Sequence, residues 1–187
     1  MIHTSVVFFA ALALPAAVYA QTSPAAPANP ITASEKGFYG LVSGEVIAAA
    51  QKMPEANYSF RPTPEVRSFG QLVGHVADAQ YGICSTAIGE TSPMKESIEK
   101  TKTSKADLVS ALKDAVDYCN KAFAGMTDAE GSQMVKMMGY NAAKITVLSV
   151  NTAHMDEHYG NMVTYLRLKG IVPPSSEGNS GPGKSDK

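Results

Sequence analysis

The chain of 187 residues contains no tryptophan, only two cysteines and no cluster of positive charge, because 16 Lys and Arg residues and 17 Asp and Glu residues are scattered along it. Binding to nucleic acid usually requires a basic patch, and adhesion to an anionic membrane surface requires a basic amphipathic helix. Neither is present, so we expect no nucleic-acid partner and no stable membrane anchor. The sequence also contains no phosphate-binding glycine loop and no nucleophile motif of a hydrolase.

A long apolar run occurs at the start of the chain, from Val6 to Val18. It is shorter than the roughly 20 residues of a transmembrane helix, and small residues follow it as at a signal-peptide cleavage site. We therefore predict a signal peptide over residues 1–20 and an exported protein, periplasmic or secreted. No cysteine follows the predicted cut, which excludes a lipid anchor at an N-terminal cysteine. Residues 21–31 are predicted to form a Pro/Ala-rich linker and residues 175–187 a disordered tail.

Apolar residues between these ends recur at steps of three and four, which predicts four long helices. The predicted helices cover residues 32–53, 68–89, 104–124 and 141–169. Ser68 and Gln71 form a capping box at the second helix, and Ser104 caps the third. Gly170, followed by two prolines, ends the fourth. The expected fold is therefore an all-α four-helix bundle over residues 32–174.

Two details of this pattern are less regular. The apolar face of the first helix is assigned to Phe38, Leu41, Val42, Val46 and Ile47. Residues 133–138, within the Met-rich segment 127–140, are expected to form a brief extended piece.

The two cysteines, Cys84 and Cys119, both fall within predicted helices. An even number of cysteines in an exported protein suggests a disulfide. If the second and third helices are antiparallel neighbours, however, Cys84 lies near the end of one and Cys119 far along the other. The sequence leaves a disulfide and two buried thiols equally open.

His154 and His158 lie four residues apart in the predicted fourth helix. This spacing places both imidazoles on one face, a turn apart, where they can hold one cation. A third histidine, His75, lies at the edge of the apolar stripe of the second helix. Two helices could thus contribute three imidazoles to a metal site.

The segments FRPTPEVRSFGQLVGHVADA (60–79) and AHMDEHYGNMVTYLRLKGIVPPSS (153–176) resemble the DinB-like superfamily of four-helix bundles. This resemblance implies that His75, His154 and His158 bind a divalent metal ion. Zinc is favoured, although nickel, cobalt or iron accept the same ligands. The resemblance also implies a homodimer through helix faces, for which the sequence defines no seam.

Four further residues are candidates for the surroundings of such a site. Asp78, one turn after His75, is expected either to accept a hydrogen bond from a ligand histidine or to be a solvated carboxylate on the helix surface. Asn151 and Tyr165 are expected to contact the histidines or to line a pocket. Glu157 is expected either to contact a ligand histidine without binding the metal or to lie on the surface. In an alternative interpretation, residues 154–158 form the H-x-x-E-H motif of inverted zinc proteases, with Glu157 as the general base. That class needs a carboxylate ligand well downstream, which the short remaining sequence does not offer.

The resemblance implies a metal-dependent enzyme acting on a small-molecule substrate, either a hydrolase or a thiol transferase. Export favours the hydrolase, because an oxidising compartment offers little reduced thiol. Three alternatives remain open from the residues: a bundle that binds a metal or small ligand without catalysis, histidines that serve only as interior polar residues, and copper binding through methionines such as Met134, Met138 and Met155.

Overall fold

The structure, a computed structural model, describes residues 28–177; the predicted signal peptide and most of the predicted linker and tail lie outside this range. The helices and strands in chain order are α1 (Pro30–Lys52), α2 (Phe69–Ile88), α3 (Ile98–Thr101), α4 (Lys105–Phe123), α5 (Asp128–Gly131), β1 (Met134–Met137), β2 (Tyr140–Ala143) and α6 (Lys144–Leu168). The four long helices, α1, α2, α4 and α6, form a bundle, which confirms the predicted all-α class. Between residues 28 and 177, no helix combines the length and the apolar character needed to cross a membrane.

The helices α2 and α4 run parallel, although they follow one another among the long helices. Gly70 at the start of α2 lies beside Leu108 at the start of α4, and Cys84 and Cys119 form a disulfide near their ends. The Cα atoms of the two cysteines are 5.4 Å apart. The expectation of antiparallel neighbours was wrong, because the connection 89–104 returns along the bundle before α4 begins. This topology makes the disulfide geometrically accessible.

The helix α6 runs antiparallel to α2 and parallel to α1. The hydroxyl of Tyr165, near the end of α6, donates to the carbonyl oxygen of Arg67 just before α2. Thr152 in α6 donates to Glu35 in the first half of α1, and Lys52 at the end of α1 pairs with Glu177 beyond α6. The early part of α2 therefore faces the later part of α6, where the histidine pair lies.

Local capping signals set several helix ends as predicted. The Ser68 hydroxyl accepts from the backbone N–H of Gln71, and the Gln71 side chain accepts from that of Ser68, which completes the capping box. Ser104 likewise accepts from the N–H of the third residue of α4. Gly170 adopts a φ of 72°, a left-handed conformation that glycine reaches without strain, and ends α6. In contrast, α1 begins at Pro30, two residues before its predicted start.

The segment before α6 is a β-hairpin, and α6 begins at Lys144 rather than near Asn141. The strands β1 and β2 pair antiparallel, with Asn141 opposite Lys136. The two-residue turn is Met138–Gly139, with φ angles of 49° and 91°. Positive φ at both positions is typical of type I′ hairpin turns, whose twist matches that of the strands. The predicted extended piece thus extends into a second strand.

The core-facing side of α1 agrees with the predicted one at Val42 and Val46 but differs from it at Phe38 and Leu41. Tyr39, Val42 and Val46 are buried, whereas Phe38 is 50 % exposed and Leu41 is 61 % exposed. The Tyr39 hydroxyl explains the choice, since it donates within the core toward the side chain of Gln80 and a backbone carbonyl of α4. Because α1 carries apolar residues on several sides, the apolar pattern alone does not select the buried face.

Candidate metal centre

The antiparallel arrangement of α2 and α6 brings the three predicted ligand histidines together. The Nε2 atom of His154 lies 3.2 Å from that of His75 and 3.0 Å from that of His158. One nitrogen from each ring lies within 4.8 Å of the other two. Among residues 28–177, no second group of three His, Cys, Asp or Glu side chains meets this spacing. The sequence spacing thus produces one compact imidazole cluster.

The spacing of the three nitrogens suits a single divalent ion. Four ligands at about 2.0–2.1 Å from zinc in a tetrahedron stand roughly 3.3 Å from one another. The two Nε2–Nε2 distances in the cluster are close to this value. Three protein ligands leave a further coordination position for water or substrate. The donor set therefore fits a catalytic rather than a closed structural metal site.

The electrostatics of the cluster keep the imidazoles neutral. Burial lowers the pKa of all three histidines, and the pKa of His158 falls to about 4. After burial, the charge of Arg67 contributes most to lowering the pKa of His75, and neighbouring imidazoles contribute most for His154 and His158. A neutral imidazole presents a lone pair, so the ligands are in the protonation state that metal binding requires.

A carboxylate on α3 orients the ring of His75. The Oε2 atom of Glu99 lies 3.4 Å from Nδ1 of His75. A proton held on Nδ1 by this carboxylate leaves the Nε2 lone pair directed at the cluster. The amide nitrogen Nδ2 of Asn161 lies 3.3 Å from Nδ1 of His158. An amide turned by 180° would instead place its oxygen there, where it would accept from an Nδ1–H. His154 lacks such a neighbour: its Nδ1 is buried without a hydrogen-bond partner in the described part of the chain.

Asp78 and Gly74 hold α3 in place, so that Glu99 reaches His75. The Asp78 carboxylate accepts from the Ser97 hydroxyl at 2.6 Å and from the backbone N–H groups of Ile98 and Glu99 at 2.6 and 3.3 Å. Asp78 therefore caps α3. The expected hydrogen bond between Asp78 and a histidine ring is not formed. Gly74 permits the contact, because a Cβ atom there would lie 2.6 Å from the Cα atom of Glu99.

The other predicted neighbours lie in different surroundings. The Asn151 amide donates to Gln80 at 2.7 Å and to the Cys119 sulfur at 3.3 Å, so it belongs to the bundle interior. The Tyr165 hydroxyl donates to the Arg67 carbonyl at 2.6 Å. Glu157 is exposed and forms no hydrogen bond to a histidine within residues 28–177.

A cleft of about 720 Å³ opens beside His158. Its walls come from the connection before α2, from α3 and from α6, and they include Arg67, Glu99, Glu157 and Tyr165. Such a volume accommodates a small molecule. Neither Arg67 nor Glu99 is among the site residues predicted from the sequence. The position of Arg67 directly before Ser68, the cap of the helix that carries His75, could have indicated that its side chain lies near the site.

Within residues 28–177, the methionines considered for copper binding are divided between the core and the surface. Met155 is buried in the core, whereas Met134 and Met138 are exposed on the hairpin. Thioethers divided in this way do not provide a shared copper site with the histidines.

Residues 39–162 match the family model of the DinB superfamily. A search of curated proteins finds no significant match.

Solved structures share the fold. A DinB-like protein from Bacillus cereus ATCC 10987 is 17 % identical with a TM-score of 0.65, over 74 % of this chain and 95 % of that one. A DinB-like protein from Bacillus subtilis is 19 % identical with a TM-score of 0.61, over 74 % and 93 %. A mycothiol-dependent maleylpyruvate isomerase is 14 % identical with a TM-score of 0.59, over 70 % and 60 %. At these identities the likeness concerns the fold alone.

Proposed function

The chain belongs to the DinB superfamily, whose model spans residues 39–162, and from this premise we propose that it is a divalent-metal-dependent hydrolase of a small-molecule substrate. His75, His154 and His158 are the proposed ligands. Zinc is the favoured ion, because three histidines with an open position are a common arrangement at catalytic zinc. Nickel, cobalt and iron suit the same donors.

The observation that carries this proposal is the convergence of three Nε2 atoms beside a cleft. A bound divalent ion would polarise a substrate carbonyl or phosphoryl oxygen and would lower the pKa of water. The protein residues supply the rest: Glu99 holds the proton of His75 on Nδ1, and burial keeps the imidazoles neutral. The cleft meets the cluster at His158, the one of the three histidines that lines it, and we propose that a substrate enters there.

The choice of hydrolase depends on the proposed export of the protein. The disulfide between Cys84 and Cys119 supports export, because such bonds persist mainly in oxidising compartments. A thiol transferase would need a reduced cosubstrate, which those compartments supply poorly. A thiol-dependent reaction is the second candidate, favoured by the shared fold with the mycothiol-dependent maleylpyruvate isomerase.

The first test is the metal content of the purified protein by mass spectrometry, with a His154→Ala/His158→Ala variant beside it. We expect about one divalent ion per chain, lost in the variant. Asp156→Asn is the matched control, since Asp156 lies between the two histidines in sequence but is exposed. A chain that takes up no zinc, nickel, cobalt or iron, even when these are added, would refute a metal-dependent function.

The second test is catalysis by the metal-loaded protein. Ester, amide, lactam and phosphoester substrates are assayed with and without a low-molecular-weight thiol. Turnover without thiol that disappears in the double variant supports the hydrolase, and turnover only with thiol supports the second candidate. A loaded protein without turnover in either assay would favour non-catalytic metal or ligand binding.

A further inference from the structure

Arg67 is held at the edge of the cleft by both helices that carry the histidines. Its carbonyl oxygen accepts the Tyr165 hydroxyl of α6 at 2.6 Å. The next residue, Ser68, is fixed as the cap of α2 by the capping box with Gln71. The backbone of Arg67 therefore has little freedom. Its side chain, 43 % exposed, lines the same cleft as His158.

Most of the hydrogen-bonding capacity of Arg67 is unused by the protein. A guanidinium carries five N–H donors in a planar fork. The Nε–H donates to Oε1 of Glu99 at 3.0 Å. Within residues 28–177, the two terminal nitrogens form no hydrogen bond. Four donors thus remain for a ligand in the cleft.

The charge of Arg67 acts on the histidine cluster. Its guanidinium contributes to lowering the pKa of all three imidazoles. Other charged groups line the cleft: Glu99 pairs with Arg67, and Glu65 and Glu157 are exposed carboxylates. The cleft as a whole therefore does not carry an excess of positive charge. Among the described residues that line the cleft, Arg67 is the only lysine or arginine, so it is where an anion would bind.

We propose that the substrate carries a carboxylate, and that Arg67 binds this carboxylate while the reacting group of the substrate occupies the open metal position. This inference rests on the proposed metal-dependent function. A planar guanidinium matches a carboxylate with two parallel hydrogen bonds, which a lysine cannot reproduce. Arg67 is then the residue that selects anionic substrates over neutral ones of the same shape.

The test uses cobalt-loaded protein and pairs of hydroxamate probes that differ in charge. One series consists of malonate, succinate and glutarate monohydroxamates, which vary the distance between the hydroxamate and the carboxylate. The matched neutral series carries a terminal methyl in place of the carboxylate. Binding is followed through the visible absorption of cobalt, so the readout does not depend on turnover. The variants are Arg67→Gln, Arg67→Lys and the control Arg61→Gln, whose wild-type side chain bonds to Gln71.

We expect Arg67→Gln to weaken binding of at least one carboxylate probe by about tenfold or more, as for loss of a charged hydrogen bond. Its neutral partner should change by less than about twofold, because it reports the metal centre alone. Arg67→Lys should recover part of the loss, and Arg61→Gln should show none. Equal effects on charged and neutral probes, or no effect at any probe length, would overturn the inference while leaving the metal site intact. Failure of the wild-type protein to take up any of zinc, nickel, cobalt and iron would instead overturn the proposed function and this inference together.

Discussion

Glu99 and His75 are 24 positions apart in the sequence, yet a carboxylate oxygen of one lies 3.4 Å from the Nδ1 atom of the other. The contact depends on α3, which lies in the connection between the parallel helices α2 and α4. It gives the candidate metal centre a residue that orients a ligand without touching the ion.

Replacement of Glu99 by alanine should reduce metal affinity about 10- to 100-fold, because Nδ1 of His75 loses its acceptor. Competition with a chromogenic chelator measures this change. Glu96→Ala, an exposed carboxylate of the same connection, is the control and should have wild-type affinity. Equal affinity in the two variants would show that Glu99 does not support the ligand.

Gly74→Ala should destabilise the protein by about 1–3 kcal/mol, because the new Cβ atom would overlap the backbone of α3 at Glu99. Gly82→Ala in the same helix is the matched control, since a Cβ atom there meets nothing within 4 Å. The control should be neutral or gain up to about 1 kcal/mol from helix propensity. Urea unfolding of both variants provides the comparison, and a loss shared by both would contradict the proposed close contact.

The metal-free protein should lose stability as the pH falls below about 6.5. Burial lowers the pKa of the three histidines in the folded state, to about 4 for His158. As the pH falls, the histidines of the unfolded chain therefore take up protons first. The contribution of the neutral histidines to the free energy of unfolding is complete above about pH 6.5 and is lost between about pH 6.5 and pH 4. Urea midpoints across the window measure the slope.

His158→Gln removes one of these groups and should make the slope shallower, whatever its effect on stability at neutral pH. An unchanged slope would mean that the imidazole of His158 titrates alike in the folded and unfolded chains.

Replacement of both Cys84 and Cys119 by alanine should cost about 3–4 kcal/mol by the loop-entropy model, because the bond closes a loop of 35 residues. Thiol counting on the unfolded, unreduced protein gives an independent check. Two free thiols per chain would show that the pair is not formed. The double variant is preferable to either single one, since a remaining thiol could form mixed disulfides.

The parts of the fold that follow from local signals were predictable. Ser68, Ser104 and Gly170 mark helix ends through side-chain or backbone bonds to residues a few positions away, and the sequence predicts them correctly. The direction of α4 relative to α2 depends on the path of the whole connection, and no local signal encodes it. The buried face of α1 is not encoded locally either. It includes Tyr39, whose hydroxyl bonds to Gln80 on another helix, and α1 carries apolar residues on several sides.

The candidate site shows the same division. The spacing of His154 and His158 is local, and the partner helix could be inferred from the family resemblance. Asp78 was considered as a partner of a histidine ring because it lies one turn from His75, but its partners lie at and before the start of α3, about 20 positions later. Arg67 and Glu99 were missed because their importance arises only when the connection, α3 and α6 meet around the cleft.

The four-residue length of α3 has a dynamic consequence. So short a helix has little stability of its own, so it remains in place only while Asp78 caps it and Gly74 receives it. If α3 separated from α2, this local opening would carry Glu99 away from His75. An ion held by the histidines favours the closed state by linkage. Exchange of the backbone amide hydrogen of Glu99 with solvent should therefore slow when the cluster is occupied, which makes this amide a reporter of occupancy some distance from the ion itself.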